Sequence, residues 1–346
     1  MLCVAPEQRR QRKNAIFHFP HYAARAMNGD RRPLPPPALL ARIERQCAAP
    51  APAACASITQ ALQETYGASL QGILFYGSCV RGMSLTQGVA DAFLVVDSYR
   101  NAYSKPWQVW LNVWLPPNVF YREIPSEAGP LRLKLALISL ADFTKGIRHG
   151  FHSYLWGRFA QPARILYARD GAVRAEFHGL LAQSVLTLLS STIPSLPARI
   201  NNAETIWTHA LALSYSTEFR AEPDSKAAEL ARHHLADYGA LLEDALPGLE
   251  AVLRRADDGS YRRLADTDAA RNTQKQWRRR RWSGQLLWLL RLLKAAFTFS
   301  NGVDYAAWKI GRHAGVEIEV TPRLRRYPLL FGWGVFLKLV RRGVLR

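Results

Sequence analysis

The amino-acid sequence predicts an α/β domain followed by a mostly helical domain and a basic amphipathic C-terminal segment, on three observations. Between residues 70 and 140 the apolar residues come in short runs of strand length. From Ala141 onward they recur at helical spacing, and positive charge is concentrated at the end of the chain. At 346 residues the chain exceeds what one core usually covers, which favours two domains plus an appendage. A hydrophobic content of 49% with 21% charged residues excludes a disordered chain. The formal charge of +19 implies a polyanionic partner: nucleic acid, nucleotide or an anionic membrane.

Taken in order, residues 1–37 form a flexible basic segment that ends in Arg31-Arg32-Pro33-Leu34-Pro35-Pro36-Pro37, a stiff extended linker. Its Arg-rich, acid-poor character overlaps with that of an organellar transit peptide. The α/β domain is expected over 38–140. Ala38 to Gln46 and Ser57 to Tyr66 carry apolar residues at helical spacing, the second stopped by Gly67. Gly72 to Tyr76, Ala92 to Val96 and Leu131 to Ile138 read as strands, the last with Arg132 and Lys134 on one face and Leu131, Leu133 and Leu135 on the other. The helical domain is expected over 141–250, with helices at Phe151 to Phe159, Glu176 to Ser190, Ala203 to Tyr215 and Ser225 to Leu246, broken at prolines. Residues 251–276 are charged and poor in large apolar side chains, as in a surface connector. Cys3, Cys47, Cys55 and Cys79 show neither CxxC spacing nor His companions, which argues against a zinc site and a secreted disulfide framework.

Chemistry enters at Gly72-Ile73-Leu74-Phe75-Tyr76-Gly77-Ser78-Cys79, followed by the Asp91-led run to Val96. An apolar strand ending in Gly-Ser, then a strand opening on a carboxylate, is what a polymerase-beta-like nucleotidyltransferase core needs to hold a nucleoside triphosphate. Gly77 lets backbone N–H groups approach phosphate, and the Ser78 hydroxyl can donate to it. Asp91 is the hard oxygen ligand that Mg²⁺ takes beside substrate phosphates. The second acidic position of that fold class, two residues on, is Phe93. The same pattern alone also describes an ordinary Gly-Ser turn.

The last segment, 277–346, holds fifteen Lys and Arg against three acids, which is twelve of the nineteen net charges. Arg278, Arg279, Arg280 and Arg281 precede the Gln285 to Phe297 helix, apolar around most of its circumference, with Trp288 among its leucines and Arg291 and Lys294 about one turn apart. Such a helix suits an anionic bilayer interface. Packing as a core helix on the second domain is the other reading. Nucleic-acid binding would explain the charge but not the Leu run. Tyr327 to Arg346 repeats the basic, aromatic theme, and no apolar segment reaches the ~18 residues of a confident span.

Four blocks occur in one order: Tyr76-Gly77-Ser78-Cys79-Val80; Asp91; Tyr154-Leu155-Trp156-Gly157-Arg158-Phe159-Ala160-Gln161-Pro162; and Leu213-Ser214-Tyr215 through Arg220, Glu222 and Lys226. Over roughly residues 60 to 250 this set resembles the mitochondrial-type phosphatidate cytidylyltransferases, the family of the mitochondrial translocator assembly and maintenance protein. The chain departs from that family at Cys79, where Gly is usual, at Gln161, where Lys precedes Pro, and at Lys134-Leu135-Ala136-Leu137 in place of Lys-Tyr-Gly-Val, which suggests a distant, bacterial-type member. The resemblance implies a nucleotidyltransferase domain joined to a winged-helix-like helical domain. It implies CTP and phosphatidate as substrates, CDP-diacylglycerol and pyrophosphate as products, and Mg²⁺ as cofactor. Peripheral attachment follows too, at the cytoplasmic face of a bacterial inner membrane or the matrix side of the mitochondrial one. Tyr76, Gly77, Ser78, Arg158, Ser214 and Tyr215 are the expected nucleotide contacts, Asp91 and Lys134 the catalytic pair, and Arg220 and Lys226 the lipid-phosphate or charge-stabilising side. Nothing in the sequence specifies an oligomeric state.

Overall fold

The structure is a computed structural model and describes residues 34–50, 52–77, 80, 88–126, 129–218, 225–298 and 320–326. Residues 1–33 of the basic N-terminal segment and the Tyr327 to Arg346 stretch lie outside the described residues, and Pro37, the expected end of that segment, opens the first helix.

The chain opens with two helices, α1 (Pro37–Ala48) and α2 (Cys55–Tyr66), and enters the sheet through β1 (Leu70–Tyr76) and β2 (Ala90–Val96). Two short helices, α3 (Tyr99–Ala102) and α4 (Pro106–Trp114), lead to the hairpin of β3 (Asn118–Ile124) and β4 (Leu131–Ser139). After α5 (Leu140–His149) and the single turn α6 (Trp156–Phe159), β5 (Ala163–Ala168) returns to the sheet and α7 (Gly171–Thr192) leaves it. A small sheet and further helices follow: β6 (Arg199–Ile200), α8 (Ala203–Tyr215), α9 (Ser225–His233), α10 (Leu235–Ala245), β7 (Leu253–Arg255), β8 (Tyr261–Arg263) and α11 (Thr267–Thr298).

The main sheet runs in the order β3-β4-β2-β1-β5. Only β2 and β4 are parallel, and the crossover between them holds α3, α4 and β3. Both faces are covered, which is why the central strands read as near-continuous apolar runs. Leu74, Phe93, Val95, Ala136 and Ile138 point into a core shared with α1, α5 and α7. Their alternates Ile73, Phe75, Ala92, Leu94, Leu135 and Leu137 meet Ile58 and Leu62 of α2. The starts of α5, α7 and α8 are capped by side chains: Ser139 accepts from the Asp142 N–H at 3.2 Å, Asp170 from Val173 at 2.9 Å and Asn202 from Thr205 at 2.9 Å. The 22-residue α7 is buried around most of its girth, so it shows little amphipathic signal although it is the central helix.

Several expectations change. Of Phe151 to Phe159 only Trp156–Phe159 is helical, because the segment before it folds back so that the Trp156 indole donates to the Gly150 carbonyl at 3.0 Å. The Ser225 to Leu246 stretch is two helices divided at His234. The expected connector holds the β7–β8 hairpin and the start of α11, which is 32 residues long. β5 lies in the region expected to be helical; its short run Ala163-Arg164-Ile165-Leu166-Tyr167-Ala168 follows a proline and pairs antiparallel with β1. No helix among the described residues is long and apolar enough to cross a membrane.

Gly72 of β1 sits where a Cβ would come within 2.2 Å of the Phe177 ring of α7. Replacing Gly72 by Ala must displace a fully buried aromatic ring, and the expected cost is about 1–3 kcal/mol. Urea unfolding of Gly72→Ala against the native chain checks it, and an unchanged midpoint would refute the packing argument.

Candidate functional site

The site is built at one end of the sheet face that carries Phe93 and Leu74. Antiparallel pairing sets Tyr76, at the end of β1, opposite Asp91, at the start of β2. Parallel pairing sets Asp91 opposite Lys134 on β4. All three side chains share a face, and Lys134 Nζ lies 3.8 Å from Asp91 Oδ1 with both groups partly exposed. Gly77 follows at φ +82°, a left-handed conformation that favours glycine, and a Cβ there would be 3.4 Å from Asp91 Oδ2. The chain therefore turns directly over the carboxylate. Ser78 lies outside the described residues.

Behind this mouth is an aromatic and cationic layer. The Tyr76 ring packs on Phe93 at 5.5 Å and Phe159 at 5.8 Å. Phe93 is wholly buried, and it also meets Phe143 and Tyr154. The residue at the second acidic position of the sequence pattern is thus a core ring. Arg158 of α6 lies over both Tyr76 (5.5 Å) and Tyr154 (4.4 Å). Its guanidinium donates to the Tyr154 carbonyl at 3.0 Å and to both Glu218 oxygens at 3.0 and 3.3 Å. Burial disfavours the Arg158 charge, but Glu218 and, more weakly, Tyr154, Tyr76 and Asp91 outweigh it and hold its pKa above the ordinary value. Burial, with Asp91 beside it, pushes the Tyr76 phenol well above its ordinary range, so Tyr76 is a neutral donor or a platform and not a base.

Ser214 and Tyr215, expected as nucleotide contacts, join α8 to α6. Ser214 is buried, and its Oγ fills the space where Gly157 lacks a side chain, 2.1 Å from a built Cβ. The Tyr215 hydroxyl donates to Gln161 Oε1 at 2.8 Å, and Gln161 Nε2 donates to the Gly157 carbonyl at 3.3 Å. Gln161, at the Lys position of the resembled motif, is thus engaged within the protein. Arg220 and the Lys226 side chain lie outside the described residues.

The long helix α11 divides its expected membrane residues between two sides. Arg278, Arg279 and Arg281 are exposed and Trp288 is half-buried. Arg280, Arg291 and Lys294 do not face outward as expected. Arg280 is 7% exposed, lies over Phe151, Trp156 and Trp277, and donates to the Phe151 carbonyl at 2.9 Å. Arg291 lies 4.1 Å from the Tyr154 centroid and donates to the Pro116 carbonyl at 3.2 Å. Lys294 donates to the Leu115 carbonyl and, at 2.8 Å, to that of Pro117. Rings and turn carbonyls draw these cations inward, a contact that helical periodicity does not encode.

Glu218, Tyr154 and Gln161 are the residues to which sequence reasoning assigned no role. Each stands inside a motif block, but the Arg158–Glu218 pair spans 60 residues and leaves no local signal. Among the described residues no group of three or more His, Cys, Asp or Glu is arranged to hold a metal. A cation at this mouth would have Asp91 as its protein oxygen, a donor set that fits Mg²⁺ when substrate phosphates supply the rest.

No family model matches the chain, and no curated protein matches it. Solved structures similar to it include a nucleotidyltransferase-like protein from Exiguobacterium sibiricum, 11% identical, aligned over 84% of this chain and 92% of that chain with a TM-score of 0.26. At that level the strand order and the site geometry carry the reading by themselves.

Two measurements check this layer. Arg158→Ala removes the guanidinium nitrogen that donates to both Glu218 oxygens, in a site where both side chains are 15% exposed, and the expected loss is about 3–5 kcal/mol by urea unfolding, with Arg158→Lys recovering part of it. The second concerns Lys294, whose burial, with Arg291 nearby, lowers its pKa from 10.5 to about 7. At lower pH the folded and unfolded chains are both protonated and the folded state bears the full desolvation cost. Above it only the unfolded chain keeps the proton, so this group makes stability rise with pH. Between pH about 7 and 9 the native chain should show a steeper rise in unfolding midpoint than Lys294→Met, the cysteines titrating alike in both proteins; equal slopes would refute the assignment.

Proposed function

We propose that this protein is a nucleotidyltransferase that transfers a cytidylyl group from CTP to the phosphate of phosphatidate at a membrane surface, with Mg²⁺. The observation that carries the proposal is the junction of Gly77, Asp91 and Lys134: a left-handed glycine turn over a carboxylate, with an ammonium 3.8 Å away on the neighbouring parallel strand. The four ordered sequence blocks support the choice of CTP and phosphatidate.

A phosphatidate phosphate oxygen attacks the α-phosphorus of CTP, forming the new P–O bond as the bond to pyrophosphate breaks. A phosphomonoester has a second pKa of about 6 and is mostly dianionic near neutral pH, so the nucleophile needs no strong base. The Tyr76 phenol, held neutral, does not act as one. The work of the site is positioning and charge neutralisation. Gly77, with Ser78 after it, receives the triphosphate through backbone N–H groups. Lys134 moves from Asp91 to the phosphates as they enter. Arg158 is committed to Glu218 and stiffens the floor beneath Tyr76, which makes it a positioning residue in this reading. Asp91 would hold Mg²⁺, which when bound neutralises the triphosphate and the departing pyrophosphate.

A second reading, a nucleotide-binding protein without transfer activity, is favoured by the buried Phe93 at the second acidic position. Incubating the full chain with labelled CTP, phosphatidate in mixed micelles and Mg²⁺ separates the two. Labelled CDP-diacylglycerol is expected, falling about 100-fold or more in Asp91→Ala and about 10–100-fold in Lys134→Ala, in line with the loss of a main electrostatic group. CTP binding without product in any lipid or metal condition would overturn transfer in favour of the second reading.

A further inference from the structure

The helix α4 is built inside out. The residue it buries fully is polar: Asn112, beside the core-packed Val109, has its amide donating to the Leu137 carbonyl at 3.1 Å and to the Tyr103 hydroxyl at 3.2 Å while its oxygen accepts from the Asn118 N–H. Its opposite side is aromatic. Trp107, Trp110 and Trp114 are 44%, 60% and 57% exposed and fall within one arc at helical spacing. The Trp110 and Trp114 rings stack with centroids 6.2 Å apart. A soluble helix packs its apolar stripe on the core and turns polar groups outward, so this reversal marks a surface that works elsewhere than in water.

A second apolar strip lies on α11, where Trp282, Leu286 and Leu289 are exposed on the side opposite the buried Trp277, Arg280 and Gly284. The two helices are tied together, because Arg291 and Lys294 donate to the carbonyls of Leu115, Pro116 and Pro117, directly after Trp114. Carboxylates are scarce on both: 98–117 contains Arg100 and Lys105 and no acid, and α11 has one acid, Asp268 in its first turn, after which 269–298 contains eight Lys and Arg and no acid. Tryptophan-rich apolar faces flanked only by cations match the headgroup region of an anionic bilayer in both polarity and charge.

We propose that the tryptophan face of α4 is an interfacial anchor that seats this protein on an anionic lipid bilayer. This deepens the proposed function and rests on it in one respect, that the acceptor is presented by a bilayer. Such an anchor needs no membrane-crossing helix, and no helix among the described residues is long and apolar enough to be one.

The test uses the full chain, vesicles of phosphatidylcholine with and without phosphatidylglycerol, and the triple variant W107S/W110S/W114S. The native chain should float with phosphatidylglycerol vesicles, lose affinity as salt is raised, and show a blue-shifted tryptophan emission. The triple variant should partition about tenfold more weakly or worse, with unchanged circular dichroism and thermal midpoint, since the replaced side chains are exposed. Flotation of the variant equal to that of the native chain would overturn the proposal. So would a native chain that ignores vesicles and instead forms a concentration-dependent dimer that the variant loses. Turnover is read separately on water-soluble short-chain phosphatidate. Retained turnover there with lost flotation supports the anchor, whereas absent turnover with intact flotation counts against the catalytic reading and leaves the anchor standing.

Discussion

A buried guanidinium holds the rest of this structure in place. Arg158 stands on a single helical turn, too short to be stable alone, and reaches three separate parts of the chain: the ring of Tyr76 at the end of β1, the ring and carbonyl of Tyr154, and the carboxylate of Glu218 after α8. An uncompensated charge at that depth would cost several kcal/mol, so the folded state depends on all of these partners being in position together. Satisfying Arg158 therefore registers the sheet against the helical half of the chain. It also settles the floor of the Asp91 mouth, because Tyr76 is both a partner of Arg158 and the residue opposite Asp91.

Around that pair the interior is unusually cationic. Arg158 and Arg291 both lie within 4.4 Å of the Tyr154 centroid, Lys294 and Arg280 continue the cluster along α11, and the half-buried His152 stands near Arg291 and Arg280. Burial, then Arg291 and Arg280, pushes His152 down to about 4, so it stays neutral among the cations. Aromatic faces and turn carbonyls offset the crowding, and the electron-rich rings are distributed accordingly. The consequence for function is a positive field behind the Gly77 turn. In the proposed reaction that field would draw a polyanionic substrate toward the Asp91–Lys134 pair.

Much of the scaffold was legible in the sequence because its signal is local. The runs ending at Tyr76 and Val96 and the alternation from Leu131 are strands, and their short apolar character follows from a sheet covered on both faces. α2 and α8 come close to their expected limits for the same reason. β3 escaped because its Arg122-Glu123 step breaks the apolar pattern, and β5 because six residues after a proline carry little periodic information. The site was half legible. Gly77 and Asp91 form a recognisable pair in sequence, and Lys134 followed from strand alternation.

What the sequence by itself determined is the strands β1, β2 and β4 with several of the helices, the pairing of Gly77 with Asp91 and the excess of positive charge at the end of the chain. These depend on residue type and on period, properties that neighbours in sequence share. The direction of that charge was decided only by tertiary structure. Helical periodicity put Arg280, Arg291 and Lys294 on a basic stripe for a membrane, whereas the fold supplies Phe151, Tyr154, Trp156 and the carbonyls of 115–117 as partners and turns the three inward. Those partners stand more than 120 residues away, and an interaction between groups so distant exists only once the chain has folded. The same holds for α4, whose tryptophans look like core residues until the buried Asn112 shows which side faces the protein.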